Sequence, residues 1–119
     1  MSEFYTRSDL VLRTLGKLGV RAAGQTPNAE DYDNVDGYLD GTLAALAARD
    51  IVLVNDADAI PAAFLNDIAA LLAKDSASEF GVMADEMAKI DSEAAQAIVN
   101  LRIMQSKTIT GQRMQAEYF

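Results

Sequence analysis

Asp33, Asp36 and Asp40 recur at intervals of three and four residues, which puts their carboxylates on one face of any helix that holds them. Carboxylate pairs are the one catalytic option this composition permits. The chain has no histidine and no cysteine, so imidazole bases, thiol nucleophiles, disulfides and the usual zinc ligands drop out together. Acid–base work by two carboxyls needs a pocket that drives their pKa values apart, and the sequence around these aspartates marks no such apolar pocket on their face. They read as a solvated or partner-facing acidic stripe. Asn55, Asp56 and Asp58 resemble the start of a calcium loop, but the sixth position would be Pro61 where glycine is needed, and no glutamate falls at the twelfth. Turn and helix-cap use is the better reading of that cluster. No phosphate-cradling glycine loop and no nucleophile elbow occurs. The expectation is a protein that is not an enzyme and needs no cofactor or metal.

Charge narrows the partners. The net charge of −8 is unevenly placed: residues 1–27 carry four basic and two acidic side chains, residues 28–93 three and fifteen, and residues 94–119 three and one. Affinity for nucleic acid comes from Lys and Arg neutralising phosphates, and the sequence offers no basic groove of that kind. An acidic body with two mildly basic ends suits head-to-tail contact between copies, or docking to other proteins. Acids within the first ten residues, and no apolar run near the length of a bilayer span, predict neither a signal peptide nor a membrane helix. The expected place of synthesis is the cytoplasm.

The elements that must hold these groups are helical. The 119 residues suit one domain, and half are hydrophobic, with only two prolines and no tryptophan, a mixture that favours an all-α fold. Val11, Leu15 and Leu18, with Leu12 beside them, predict a first helix capped by Ser8 and closed by Gly19. Pro27 suits the first turn of a second helix, whose stripe Tyr32, Val35, Leu39, Leu43 and Leu46 runs to about Arg49. Gly37 and Gly41 lie four apart inside it, each at a cost of about 1 kcal/mol against alanine, and a close-packed helix or subunit would account for them. Asp36 and Asp40 beside them make a membrane GxxxG motif a poor reading. Ile51–Val54 predicts a short extended piece over the helices or an arm of a small hairpin. A third helix starts near Ile60-Pro61, carries Phe64, Leu65, Ile68, Leu71 and Leu72, and ends at Gly81. A fourth, from about Ala84 to Ser106, shows Met87, Ile90, Ala94, Ile98, Leu101 and Met104 on one face. The methionines are read chiefly as core filler.

The order "SDLVLRTLGKLGV", "AGQTPNAED", "LDGTLAALAARDIVLV", "IPAAFLNDIAALLAKDSASEFGV" and a final alanine-rich helix resembles the bacteriophage head–tail connector (adaptor) proteins, most closely the tail accessory factors of short-tailed phages. The resemblance covers about residues 7–105. Members of that family often carry a tryptophan near the end of helix two, where this chain has "AALAARD", so the packing of that helix is not carried over. The resemblance implies a helical bundle that assembles as a ring, commonly of about twelve subunits, beneath the portal protein, with a tail or stopper protein below. DNA would pass through without sequence recognition, and the protein would sit at the head–tail junction of the virion. Asp33, Asp36 and Asp40 then become candidate channel- or subunit-facing acids, since an acidic lining repels phosphates.

The same resemblance divides the chain into a helical domain, 1–106, and an extended C-terminal docking arm, 107–119. Lys107 and Arg113 would meet acidic patches, Ile109 and Met114 lie on the same arm, and Tyr118 and Phe119 would be its aromatic anchors. An alternative of another class is a small acidic helical protein, regulatory or chaperone-like, that binds a basic protein partner. A carboxylate-dependent hydrolase would require metal binding that the sequence does not suggest.

Overall fold

Thr6 and Asp9 start the first helix as a reciprocal pair: Thr6 Oγ1 accepts from the Asp9 N–H at 3.2 Å, and Asp9 Oδ2 accepts from the Thr6 N–H at 2.9 Å. The structure, a computed structural model, describes residues 4–21 and 24–117, with 106–117 described by backbone alone. Helix α1 spans Arg7–Lys17. Ser8, the expected cap, lies inside its first turn. A Ser or Thr caps best when a carboxylate follows three residues later, and Thr6 has that partner where Ser8 has Val11. At the other end Gly19 takes φ 76°, its N–H bonds to Gly16 O at 3.1 Å, and the Val20 N–H bonds to Leu15 O at 3.2 Å. This paired closure needs the left-handed conformation that glycine adopts freely.

Helix α2 spans Ala29–Ala48 and is capped by Asn28, whose Oδ1 accepts from the N–H groups of Glu30 at 2.9 Å and Asp31 at 3.4 Å. Pro27 precedes the cap and is not in the first turn, because Asn28 can satisfy two orphan donors where proline satisfies none. The helix closes on Asp50 at φ 54°, with the Ile51 N–H on Leu46 O at 3.0 Å. Ile51 is buried, as is Leu46, so the turn also delivers an apolar residue onto the last turn of its own helix.

Ile51 and Val52 are buried without forming a strand. The strand pairing lies elsewhere: β1 (Phe4–Tyr5) and β2 (Ile60–Pro61) are antiparallel, with Phe4 opposite Pro61 and Tyr5 opposite Ile60. The hairpin entertained between helices two and three is therefore replaced by a long-range ladder that ties the start of α1 to the start of α3. Between them, Asp56 Oδ1 accepts from the Asp58 N–H at 2.9 Å, and Asp58 Oδ1 accepts from the Arg7 N–H at 3.3 Å. Both aspartates thus serve a turn and a helix start.

Helix α3 (Ala62–Ser76) continues as a 3₁₀ turn over Ala77–Phe80 and closes on Gly81 at φ 58°. It is the central element, packed against α1, α2 and α4. Leu65, Ile68, Leu71 and Leu72 are buried on it as expected, and Ala69, Ala70 and Ala73 with them. A fully buried Leu contributes about 1.5–3 kcal/mol by leaving water. The core takes Leu10, Val11 and Leu15 from α1, Val35, Leu39 and Leu46 from α2, and Ala94, Ala97 and Leu101 from α4. Two buried hydroxyls are satisfied locally: Thr14 donates to Leu10 O at 2.9 Å and Ser76 to Leu72 O at 2.7 Å. The described residues are thus mostly helical, four α-helices with one small sheet.

Helix α4 spans Ala84–Glu117. Its backbone does not stop near Ser106, so residues 107–117 are helical where an extended arm was expected. No proline intervenes, and Thr108, Ile109, Thr110 and Gly111 lower helix propensity without breaking the hydrogen-bond ladder.

Candidate interaction surface

Arg7 opens α1 with its backbone fixed by the Thr6–Asp9 cap and the Asp58 contact, and its guanidinium reaches across to α2. Nε donates to Asp36 Oδ1 at 2.6 Å, Nη1 to Asp40 Oδ1 at 2.7 Å, and Nη2 to Asp40 Oδ2 and the Asp36 carbonyl, each at 3.2 Å. One planar cation thus holds two carboxylates a helical turn apart, a geometry lysine does not reproduce. The hydrogen bonds from Arg7, then its charge, hold the Asp40 carboxyl below the usual aspartate range, and the bonds to Asp40 and Asp36 push the Arg7 guanidinium up. A general acid at neutral pH needs a carboxyl shifted the other way. Asp40 is still 77% exposed, so the clamp orients α1 on α2 more than it stabilises either.

The three stripe aspartates therefore separate. Asp36 and Asp40 are joined through Arg7, while Asp33, exposed one turn earlier, has no cationic partner among the described residues. Gly37 and Gly41 are exposed on the same helix, and a Cβ built on either meets nothing within 4 Å. No neighbour among the described residues accounts for them.

On the other side of α1, Leu12 and Leu65 help line a groove of about 550 Å³ whose polar edge carries Arg13, Lys17 and Arg21. Arg21 is partly engaged, donating from Nε to Gln25 O at 2.7 Å, and Lys17 lies 4.0 Å from Glu93. Arg13 is exposed, with no hydrogen-bond or ion-pair partner among the described residues. Asp9, the groove's one carboxylate, is turned to the Thr6 N–H. Sequence reasoning passed over this cationic row, although the spacing of Arg13, Lys17 and Arg21 was legible.

Two polar contacts tie α2 to the end of α3: Tyr38 OH donates to Glu79 Oε1 at 2.7 Å and Thr42 Oγ1 to Asp75 Oδ2 at 2.5 Å. The bond to Glu79 pushes the Tyr38 phenol up. On α4, Val99 and Ile103 are exposed one turn apart, an apolar pair off the stripe of Ile90, Ala94 and Leu101 that faces the core. Lys107, Ile109, Arg113 and Met114 stand on the helical continuation of α4, with side chains outside the described residues. Tyr118 and Phe119 lie outside the described residues altogether.

Among the described residues no cluster of acids has the makings of a metal site, and no helix is long and apolar enough to cross a membrane. The described residues define a small, mostly helical protein whose shifted groups, Arg7, Asp40 and Tyr38, are each held by contacts between helices or with the turn after α3. No known family, curated protein or solved structure matches the chain.

Proposed function

We propose that the chain is a structural subunit of a head–tail connector: a helical bundle around α3 that forms a ring, of about twelve copies, beneath the portal of a phage or phage-like particle. In this role it catalyses nothing, links capsid to tail, and leaves a channel for DNA. The observation that carries the reading is the order of its closures. Three of the five sequence pieces behind the resemblance carry a helix ending: Leu18-Gly19-Val20 closes α1, the leucine-rich end of α2 turns into buried Ile51 and Val52, and Phe80-Gly81 closes α3. The net charge of −12 over residues 28–93 supports passage of DNA without adhesion, since like charge raises the cost of phosphate contact.

Co-sedimentation with the portal tests the reading. The chain is expected to migrate with portal assemblies and to leave duplex DNA unshifted in a gel at low salt. Migration as a free monomer beside the portal, or tight salt-sensitive DNA binding, would overturn it.

A further inference from the structure

The groove on α1 and the outer ridge of α2 are complementary, and they face different sides of the α1–α2 pair. The groove has an apolar floor from Leu12 and Leu65, a cationic edge from Arg13, Lys17 and Arg21, and at Gly16 a bare stretch of helix backbone. A Cβ at Gly16 would meet nothing within 4 Å, so the backbone there is open to close approach. Two of its three cations lack strong partners at home: Arg13 has none among the described residues, and Lys17 has only a carboxylate at 4.0 Å, while Arg21 donates to Gln25 O. In a protein of net charge −8, such a row is the place where an acidic surface gains most from docking.

The α2 ridge is that surface. Glu30, Asp33, Gly37, Asp40, Gly41, Ala44 and Ala48 are all exposed along it, so from Asp33 to Ala48 no side chain on the ridge is larger than aspartate. At 1.5 Å rise per residue this is a strip about 22 Å long that another helix can approach closely. Its charge is concentrated at the N-terminal end, where Glu30 and Asp33 have no cation among the described residues. Along the axis Asp33 lies about 6 Å before Gly37, and Arg13 about 4.5 Å before Gly16, so one register sets Asp33 on Arg13 and the two glycines against each other.

We propose that the Arg13/Gly16/Lys17 groove of one copy receives the Asp33/Gly37/Gly41 ridge of α2 from a second copy. The contact is heterologous, groove to ridge, and repeats from copy to copy, which closes into a ring when the rotation allows. It deepens the connector reading and rests on it for the ring, though the contact itself is defined by charge and shape alone. It also gives the two α2 glycines a reason that lies outside their own chain.

The absence of native cysteine makes the test direct. Gly16→Cys and Gly37→Cys are made in separate chains, one of them tagged; both positions are helical with open space for the new side chain. Mild oxidation of the mixture, at high protein concentration and again on portal, is expected to give a tagged–untagged dimer, while each variant alone stays monomeric. Adding Arg13→Glu and Lys17→Glu to the Gly16→Cys chain is expected to cut that dimer about tenfold, in line with loss of two interfacial charge contacts. Equal dimer from either variant alone, an adduct of the Gly16→Cys chain with the portal in place of the ridge, or no mixed dimer under either condition would overturn the contact. Rings on portal without the mixed dimer reject this contact and leave the connector reading; mixed dimer without portal binding does the reverse.

Discussion

Replacing both exposed glycines of α2, Gly37→Ala with Gly41→Ala, is expected to stabilise the isolated chain. Each lies inside a helix, neither has a positive φ, and an added Cβ meets nothing within 4 Å. The substitution therefore removes the helical cost of glycine, about 0.8–1.0 kcal/mol per site, with no steric cost to offset it. Among the described residues neither site has a neighbour that an added methyl would meet, so the two helical costs together come to about 2 kcal/mol. For 119 residues, an unfolding entropy of about 2.1 cal/mol/K per residue turns this into a rise in Tm of roughly 8 °C. Urea unfolding followed by circular dichroism, with thermal melts beside it, measures both numbers. The same variant is expected to assemble less well on portal, because the methyl groups stand where a neighbouring helix is proposed to approach. A double variant no more stable than the parent would refute the reasoning, since it would mean that something inside the folded chain requires those glycines.

Asp50→Gly is expected to stabilise by up to about 1 kcal/mol in the same unfolding assay, because it relieves a non-glycine residue held at φ 54°; equal or lower stability would refute it. Leu72→Ala empties a fully buried site on the central helix and should cost about 3 kcal/mol, read as a lower urea midpoint at unchanged slope. The Asp40 carboxyl should titrate below the ordinary aspartate value of 3.8, and Arg7→Gln should return it there, as followed by side-chain NMR. Because the folded pKa is the lower one, the Arg7–Asp40 contribution is present above the ordinary value and lost as pH falls through the folded one; the stability gap between parent and Arg7→Gln should be flat at neutral pH and close in acid. Truncation after Ser106 should leave the body folded, since Leu101 is the last fully buried core residue of α4 described, and on the connector reading it should reduce assembly on portal.

The helices were legible because each carries one apolar stripe at helical spacing, and Gly19 and Gly81 mark closures only a left-handed residue can make. Closures by other residues were harder to see. Asp50 does glycine's work at the end of α2, and Thr6 displaces Ser8 because its partner Asp9 sits at the third position. The β1–β2 ladder could not be read at all: two-residue strands have no periodicity, and their pairing is set by how α1 and α3 dock. The Arg7 clamp was hidden for the same reason, since it joins residues 29 and 33 apart in sequence. The stripe of aspartates was visible, but which of them keep a free charge depends on a cation from another helix. The continuation of α4 past Ser106 departs from the extended arm that the resemblance implies, because polar residues alone do not end a helix that no proline interrupts.

The central claim is that this chain is a ring-forming connector subunit, and electron microscopy of the chain mixed with its portal tests it most directly. The account predicts a closed ring of density on one face of the portal, with helical subunits around an open channel. Portal particles bare of added density, with the chain free as a monomer or dimer at every concentration tried, would contradict it.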